Sequence, residues 1–115
     1  MSIVVFDIGG SAVKFGLWQE DALTGKGSFG PPKTWNAMKA EMKSVFDGFA
    51  AAGSIEGVAI SSPGAVDSDA GIIGGISAVP YIHHFPIKAE WETMFGNLVS
   101  VENDANCAAL AEVWL

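Results

Sequence analysis

With 115 residues, half of them apolar, the chain is one folding unit that can bury a real core but is too short for two full lobes. Thirteen acids against six bases give a net charge of −7, and every base is lysine, which argues against a nucleic-acid surface and against docking on anionic lipid. A small anionic ligand is still compatible with that charge where backbone N–H groups, a lysine and a divalent cation act locally.

Residues 2 to 7 read as a buried strand, and "AVKFGLW" at 12 to 18 alternates Val13, Phe15 and Leu17 on one side with Lys14 and Trp18 on the other. The short Gly-Gly-Ser link between them predicts an antiparallel hairpin. "ALTGKGSFG" is a third strand candidate despite its three glycines. Pro31 and Pro32 then break the chain before a helix that Thr34 caps and Gly53 stops, with Trp35, Met38, Met42, Val45, Phe46 and Phe49 at helical spacing as a core stripe.

Gly57 to Ser61 reads as another buried strand, followed by a loop through Ser62, Pro63 and Gly64 as far as Asp67. Pro86 opens a short helix in its first turn, with Ile87, Trp91 and Phe95 on one face and Gly96 at its end. His83 and His84 fall in the link before it and read as surface or lid residues. "LVSV" is a strand, and "ENDANCAALAEVWL" turns directly into a second amphipathic helix. The order predicts an α/β domain with a mixed β-sheet flanked by helices. The last helix reaches Leu115 without a visible C-cap, so the chain reads as cut from something longer.

The single cysteine, Cys107, allows neither an intramolecular disulfide nor a cysteine-based zinc cluster in this segment, and its apolar setting makes it a small buried residue. The opening strand carries Asp7 where a secretory signal stays apolar, and no apolar stretch reaches transmembrane length. A cytoplasmic protein is expected.

Three loops follow three strands: Asp7 to Ser11, Ser61 to Asp67, and Glu102 to Asn106. In an α/β sheet, ligands gather where strand ends and loops meet, so polar residues at several strand ends suggest one shared site. Gly9 and Gly10 let backbone approach an anion, Ser11 adds a hydroxyl, and Asp7 suits a magnesium ion held through water, although the same residues also suit an ordinary hairpin turn. The pattern is neither a Walker loop nor a dinucleotide fingerprint. In "VENDAN", Asn103 and Asp104 suit a helix N-cap. The crowding of Glu102, Asn103, Asp104 and Asn106 suits a polyhydroxy ligand equally, with Asp104 taking a proton from one hydroxyl.

"DIGGSAVKFGL", "SSPGAVDSDAGII" and "VSVENDANCAALAE", in this order, resemble the N-terminal half of the ROK family of sugar kinases and related repressors, over essentially the whole chain. The resemblance implies an actin-like, ribonuclease H-like ATPase fold of two lobes, of which residues 1–115 are the first. It assigns Asp7, Gly10, Ser11 and Lys14 to the phosphates of ATP and their Mg2+, with Gly9 in the same turn. Gly64, Ser77, Asn103 and Asp104 fall to the sugar, with Asp104 as catalytic base. Ser11 stands where threonine is usual and keeps the hydroxyl, whereas Ala12 removes a polar side chain that many members carry.

A sugar-binding glutamate and histidine, a zinc site and the adenosine pocket are implied beyond Leu115. The implied activity is ATP-dependent phosphorylation of a sugar hydroxyl by a homo-oligomeric enzyme, the fragment itself being inactive. The alternatives are a sugar-responsive regulator of the same family or a non-catalytic sugar-binding lobe.

Overall fold

The computed structural model describes residues 2–103 other than 31, 68, 76 and 78. A five-stranded sheet organises them. Its first three strands, β1 (Ser2–Ile8), β2 (Val13–Gln19) and β3 (Ala22–Phe29), form an antiparallel meander. β4 (Gly57–Ser62) and then β7 (Val99–Asn103) add in parallel on the other side of β1, giving the order β3-β2-β1-β4-β7. The parallel half needs crossovers, which the helices α1 (Trp35–Ala52) and α2 (Ile87–Phe95) provide.

Both helices pack on one face. Met38, Met42 and Phe46 of α1 and Ile87, Trp91 and Phe95 of α2 join Val4, Phe6 and Ile8 of β1, Val58 and Ile60 of β4, and Val99 and Val101 of β7 in one core. Phe95 bridges the layers, its ring centroid 6.0 Å from that of Phe6 and 5.0 Å from that of Phe46. Side chains alternate along a strand, so the residues between these, including Asp7, Ser61 and Glu102, belong to the opposite face. Neither described helix covers it.

The expected ends of the helices are largely those found. Thr34 caps α1 by accepting the Ala37 N–H at 3.1 Å, and Gly96 closes α2 in the left-handed conformation while its N–H bonds the Glu92 carbonyl. Pro86 stands at the N-cap of α2 rather than within its first turn.

Three expectations are corrected. The segment after residue 61 is not one open loop: β4 continues through Ser62, and β5 (Ala65–Asp67) pairs antiparallel with β6 (Ile72–Gly74) as a separate hairpin. Main-chain pairing there takes up polar groups that a bare loop would leave to solvent. Glu102 and Asn103 do not begin a helix, because parallel pairing of Ser61 with Glu102 and Ser62 with Asn103 extends β7 through both. The helix expected after them, with Cys107 on it, lies outside the described residues. His83 is half-buried and hydrogen-bonded beneath the β5–β6 hairpin rather than lying on the surface, whereas its neighbour His84 is exposed as expected.

Candidate active site

The parallel strands β1, β4 and β7 deliver polar residues to one end of the sheet. Pairing places Lys14 opposite Asp7, Asp7 opposite Ser61, and Ser61 opposite Glu102, a row across four strands on the face away from α1 and α2. Side chains of directly paired residues project to the same face, so the row is a continuous polar band. Lys14 is exposed, Asp7 and Glu102 are half-buried, and Ser61 is buried.

Between β1 and β2 the chain turns through Gly9, Gly10, Ser11 and Ala12, and the Gly9 N–H donates to the Ala12 carbonyl at 3.0 Å. That bond occupies the first amide of the turn. Gly10 and Ser11 stand exposed at its apex. A Cβ at position 9 would lie 3.2 Å from the Ala12 oxygen, a close approach that a small shift of the turn can accommodate. Beside the turn, Lys14 and Lys26 line an open hollow of about 320 Å³ with Gly27 and Ser28.

These groups suit a polyphosphate with its metal. The apex is accessible, a hydroxyl and a carboxylate flank it, and two of the six lysines of an acidic chain converge on the adjoining hollow. No group of three or more His, Cys, Asp or Glu suited to a metal is present among the described residues. A magnesium ion that keeps its waters and takes further oxygens from phosphate needs only one or two protein carboxylates.

The second part of the site lies where β4 runs out. Gly64 has φ 94°, and a Cβ there would stand 2.8 Å from His83 Cε1 and 2.9 Å from the Gly74 carbonyl oxygen. Left-handed backbone and close approach both require glycine at this position. Ser77 is half-buried, with its Oγ 2.8 Å from His83 Nε2 and accepting the Val79 N–H at 3.1 Å. His83 Nδ1 lies 3.3 Å from the Ile73 carbonyl oxygen. The hairpin, Gly64, Ser77 and His83 therefore form one cluster.

The expected site residues thus fall into two groups at neighbouring strand ends. Asp7, Gly9, Gly10, Ser11 and Lys14 share the β1–β2 turn and its flanks, and Gly64 and Ser77 share the second cluster. Gly64 and Ser77 meet through His83, a residue that sequence reasoning set aside. Asn103 ends β7, its backbone in register with Ser62, so it emerges beside the strand that leads to Gly64. Asp104 lies outside the described residues.

No described helix is long and apolar enough to cross a membrane. Tyr81 anchors the segment before α2 to the stretch before α1 by donating its hydroxyl to the Pro32 carbonyl at 2.6 Å, and burial raises its pKa from the ordinary tyrosine value.

Residues 3–115 match the model of the ROK family. The chain is 39% identical over 117 residues to a β-glucoside kinase of Klebsiella pneumoniae, covering 99% of this chain and 38% of that protein. An N-acetyl-D-glucosamine kinase of Vibrio cholerae is 32% identical over 112 residues, covering 95% of this chain and 37% of its own length. The crystal structure of a ROK family glucokinase from Streptomyces griseus, in complex with glucose and AMPPNP, superposes with a TM-score of 0.85 at 26% identity, over 97% of this chain and 36% of that one. The chain therefore spans well under half the length of these relatives, and its α/β mixed sheet is the actin-like architecture of their N-terminal region. From its opening strand to its last residue, the chain belongs to the ROK family.

Proposed function

We propose that the protein carrying this chain transfers a phosphoryl group from ATP to a sugar hydroxyl, O6 of a hexose or amino-hexose, with residues 1–115 forming its N-terminal lobe. The observation that carries the reading is the convergence of two unlike polar groups at one end of the sheet. One is an exposed turn flanked by Asp7 and Lys14, and the other is the Gly64–Ser77 cluster. The kinase activities of the relatives from Klebsiella pneumoniae and Vibrio cholerae support it.

Asp7 would hold a magnesium ion, which would neutralise charge on the phosphate oxygens of ATP, the phosphoryl donor. The Gly10 and Ser11 amides, the Ser11 hydroxyl and the Lys14 ammonium would bind the phosphates. Gly9 closes the turn that presents them. Gly64, Ser77 and Asn103 orient the sugar, and Asp104 accepts the hydroxyl proton as the bond to phosphorus forms. In a loose transition state most of the acceleration comes from such positioning and charge stabilisation.

One lobe cannot exclude water from both substrates, so the 115 residues alone are expected to be inactive. The test is a coupled ADP-release assay on the full-length protein across hexoses, amino sugars and β-glucosides. Magnesium-dependent turnover with one of them is the expected result. Silence with all of them, in a folded protein, contradicts the reading, as does sugar-dependent ATP consumption by the isolated chain.

A further inference from the structure

The second cluster contains a directed hydrogen-bond chain that the roles above leave unused. Both ring nitrogens of His83 are engaged, Nδ1 with the Ile73 carbonyl and Nε2 with Ser77 Oγ. A carbonyl only accepts, so the Nδ1 contact selects the tautomer with the proton on Nδ1, in which Nε2 is the acceptor. The hydrogen in the 2.8 Å contact therefore comes from the Ser77 hydroxyl. The same Oγ already accepts the Val79 N–H at 3.1 Å. A hydroxyl has one proton and two lone pairs, which leaves Ser77 one lone pair for a ligand.

The ring is itself held from two further sides. The His84 N–H donates to the same Ile73 carbonyl at 2.9 Å, with His84 in the left-handed region at φ 67°, so the bend at 83–84 is bound to β6. Gly64 contributes no Cβ, and its backbone lies directly against the ring edge at Cε1. Without the imidazole, the Ser77 proton would turn to its longer alternative, the Val79 carbonyl at 3.3 Å, or be released to rotate.

We propose that His83 is a positioning residue for the sugar acceptor. It holds Ser77 Oγ as a hydrogen-bond acceptor toward a sugar hydroxyl and fixes the Ser77 segment against Gly64. The inference rests on the reading of Gly64 and Ser77 as sugar contacts.

Steady-state kinetics on the full-length protein tests it, with His83→Ala, His83→Gln, Ser77→Ala and the double alanine variant, each checked for folding by circular dichroism. Loss of one oriented neutral hydrogen bond predicts that His83→Ala raises the sugar KM by about tenfold, with kcat and the ATP KM within about threefold of wild type. His83→Gln, whose side-chain amide reaches the Nε2 position, is expected to recover most of the sugar KM. The double variant is expected to be no worse than Ser77→Ala alone, because the two residues act as one unit.

A sugar KM that His83→Ala leaves unchanged, an equal rise in the ATP KM, or additive effects in the double variant would overturn the inference while leaving the kinase reading intact. If His83→Ala does not fold, His83→Phe, which fills the space of the ring without an acceptor, takes its place in the kinetics and in the cycle, with the same rise in sugar KM expected and the same outcomes overturning the inference. If the wild type shows no turnover, calorimetric titration with the same sugars compares wild type with His83→Phe: weaker sugar binding by the variant is expected, equal binding overturns the inference, and absence of any binding to wild type overturns both readings.

Discussion

The two halves of the site are built on opposite plans. The β1–β2 turn is local: four consecutive residues, one internal hydrogen bond from Gly9 to Ala12, and an apex left exposed at Gly10 and Ser11. The Gly64 cluster is assembled from separated segments, and its polar groups satisfy one another before any ligand arrives. The difference fits the partners assigned to them. A polyphosphate brings its own charge and metal and asks mainly for accessible donors, whereas a neutral sugar is told from its isomers by hydroxyls in fixed directions. Fixed directions come from groups that are already oriented.

The largest effect expected is that of the base that would serve both halves. Asp104→Ala in the full-length protein is predicted to lower kcat by about 10²- to 10⁴-fold, as for loss of a general base, with both substrates still bound in titrations. Turnover near wild type removes Asp104 from that role.

Next comes Gly64→Ala, which forces a left-handed residue with a side chain into contacts of 2.8 and 2.9 Å. Urea denaturation should show a loss of about 1–3 kcal/mol, together with a raised sugar KM. Gly9→Ala, by contrast, meets only one oxygen at 3.2 Å and carries no positive φ. Its stability is expected to stay within about 1 kcal/mol of wild type, the reduced freedom of the unfolded chain offsetting part of the strain. Equal losses at the two glycines would erase the contrast between a preorganised cluster and a tolerant turn.

The smallest effect concerns the Tyr81 tether near the cluster. Tyr81→Phe removes a hydrogen bond to the Pro32 carbonyl and should cost about 1 kcal/mol. Because the folded chain raises the Tyr81 pKa above the ordinary 10.0, the protonated phenol favours the folded state. Its contribution is fully present below pH 10 and is lost as the pH rises through the folded-state pKa. A stability profile of Tyr81→Phe that parallels wild type above pH 10 would remove the phenol from that role.

The same contrast explains what could be read from sequence. The sheet meander, the α1 stripe, the Thr34 cap and the Gly96 stop are local signals of period and capping, and they are legible in the sequence itself. The β5–β6 hairpin could not, since strands of three residues are too short to show alternation. The β2–β3 turn also carries no advertisement, because Glu20 and Asp21 take positive φ of 51° and 61° where Asn-Gly is the usual sign. His83 is the clearest case. Nothing within a few residues of it indicates a partner, and its contacts arise from Ser77 and Ile73 being folded onto it. Lys26 likewise reads only as a charge in a glycine-rich strand, and it comes to share a hollow with Lys14 because β3 pairs Ser28, two residues on, with Lys14.

The central claim is that phosphate and sugar are held by separate parts of one strand-end site. The most direct measurement is a crossed comparison in the full-length protein: KM for ATP and for the accepted sugar in Lys14→Ala and in Ser77→Ala. Losing a charge-assisted phosphate contact should raise the ATP KM of Lys14→Ala by about tenfold or more, with the sugar KM little changed. Ser77→Ala should do the reverse. If both variants raise both constants together, or if each acts on the other's substrate, the division between the β1–β2 turn and the Gly64 cluster is wrong.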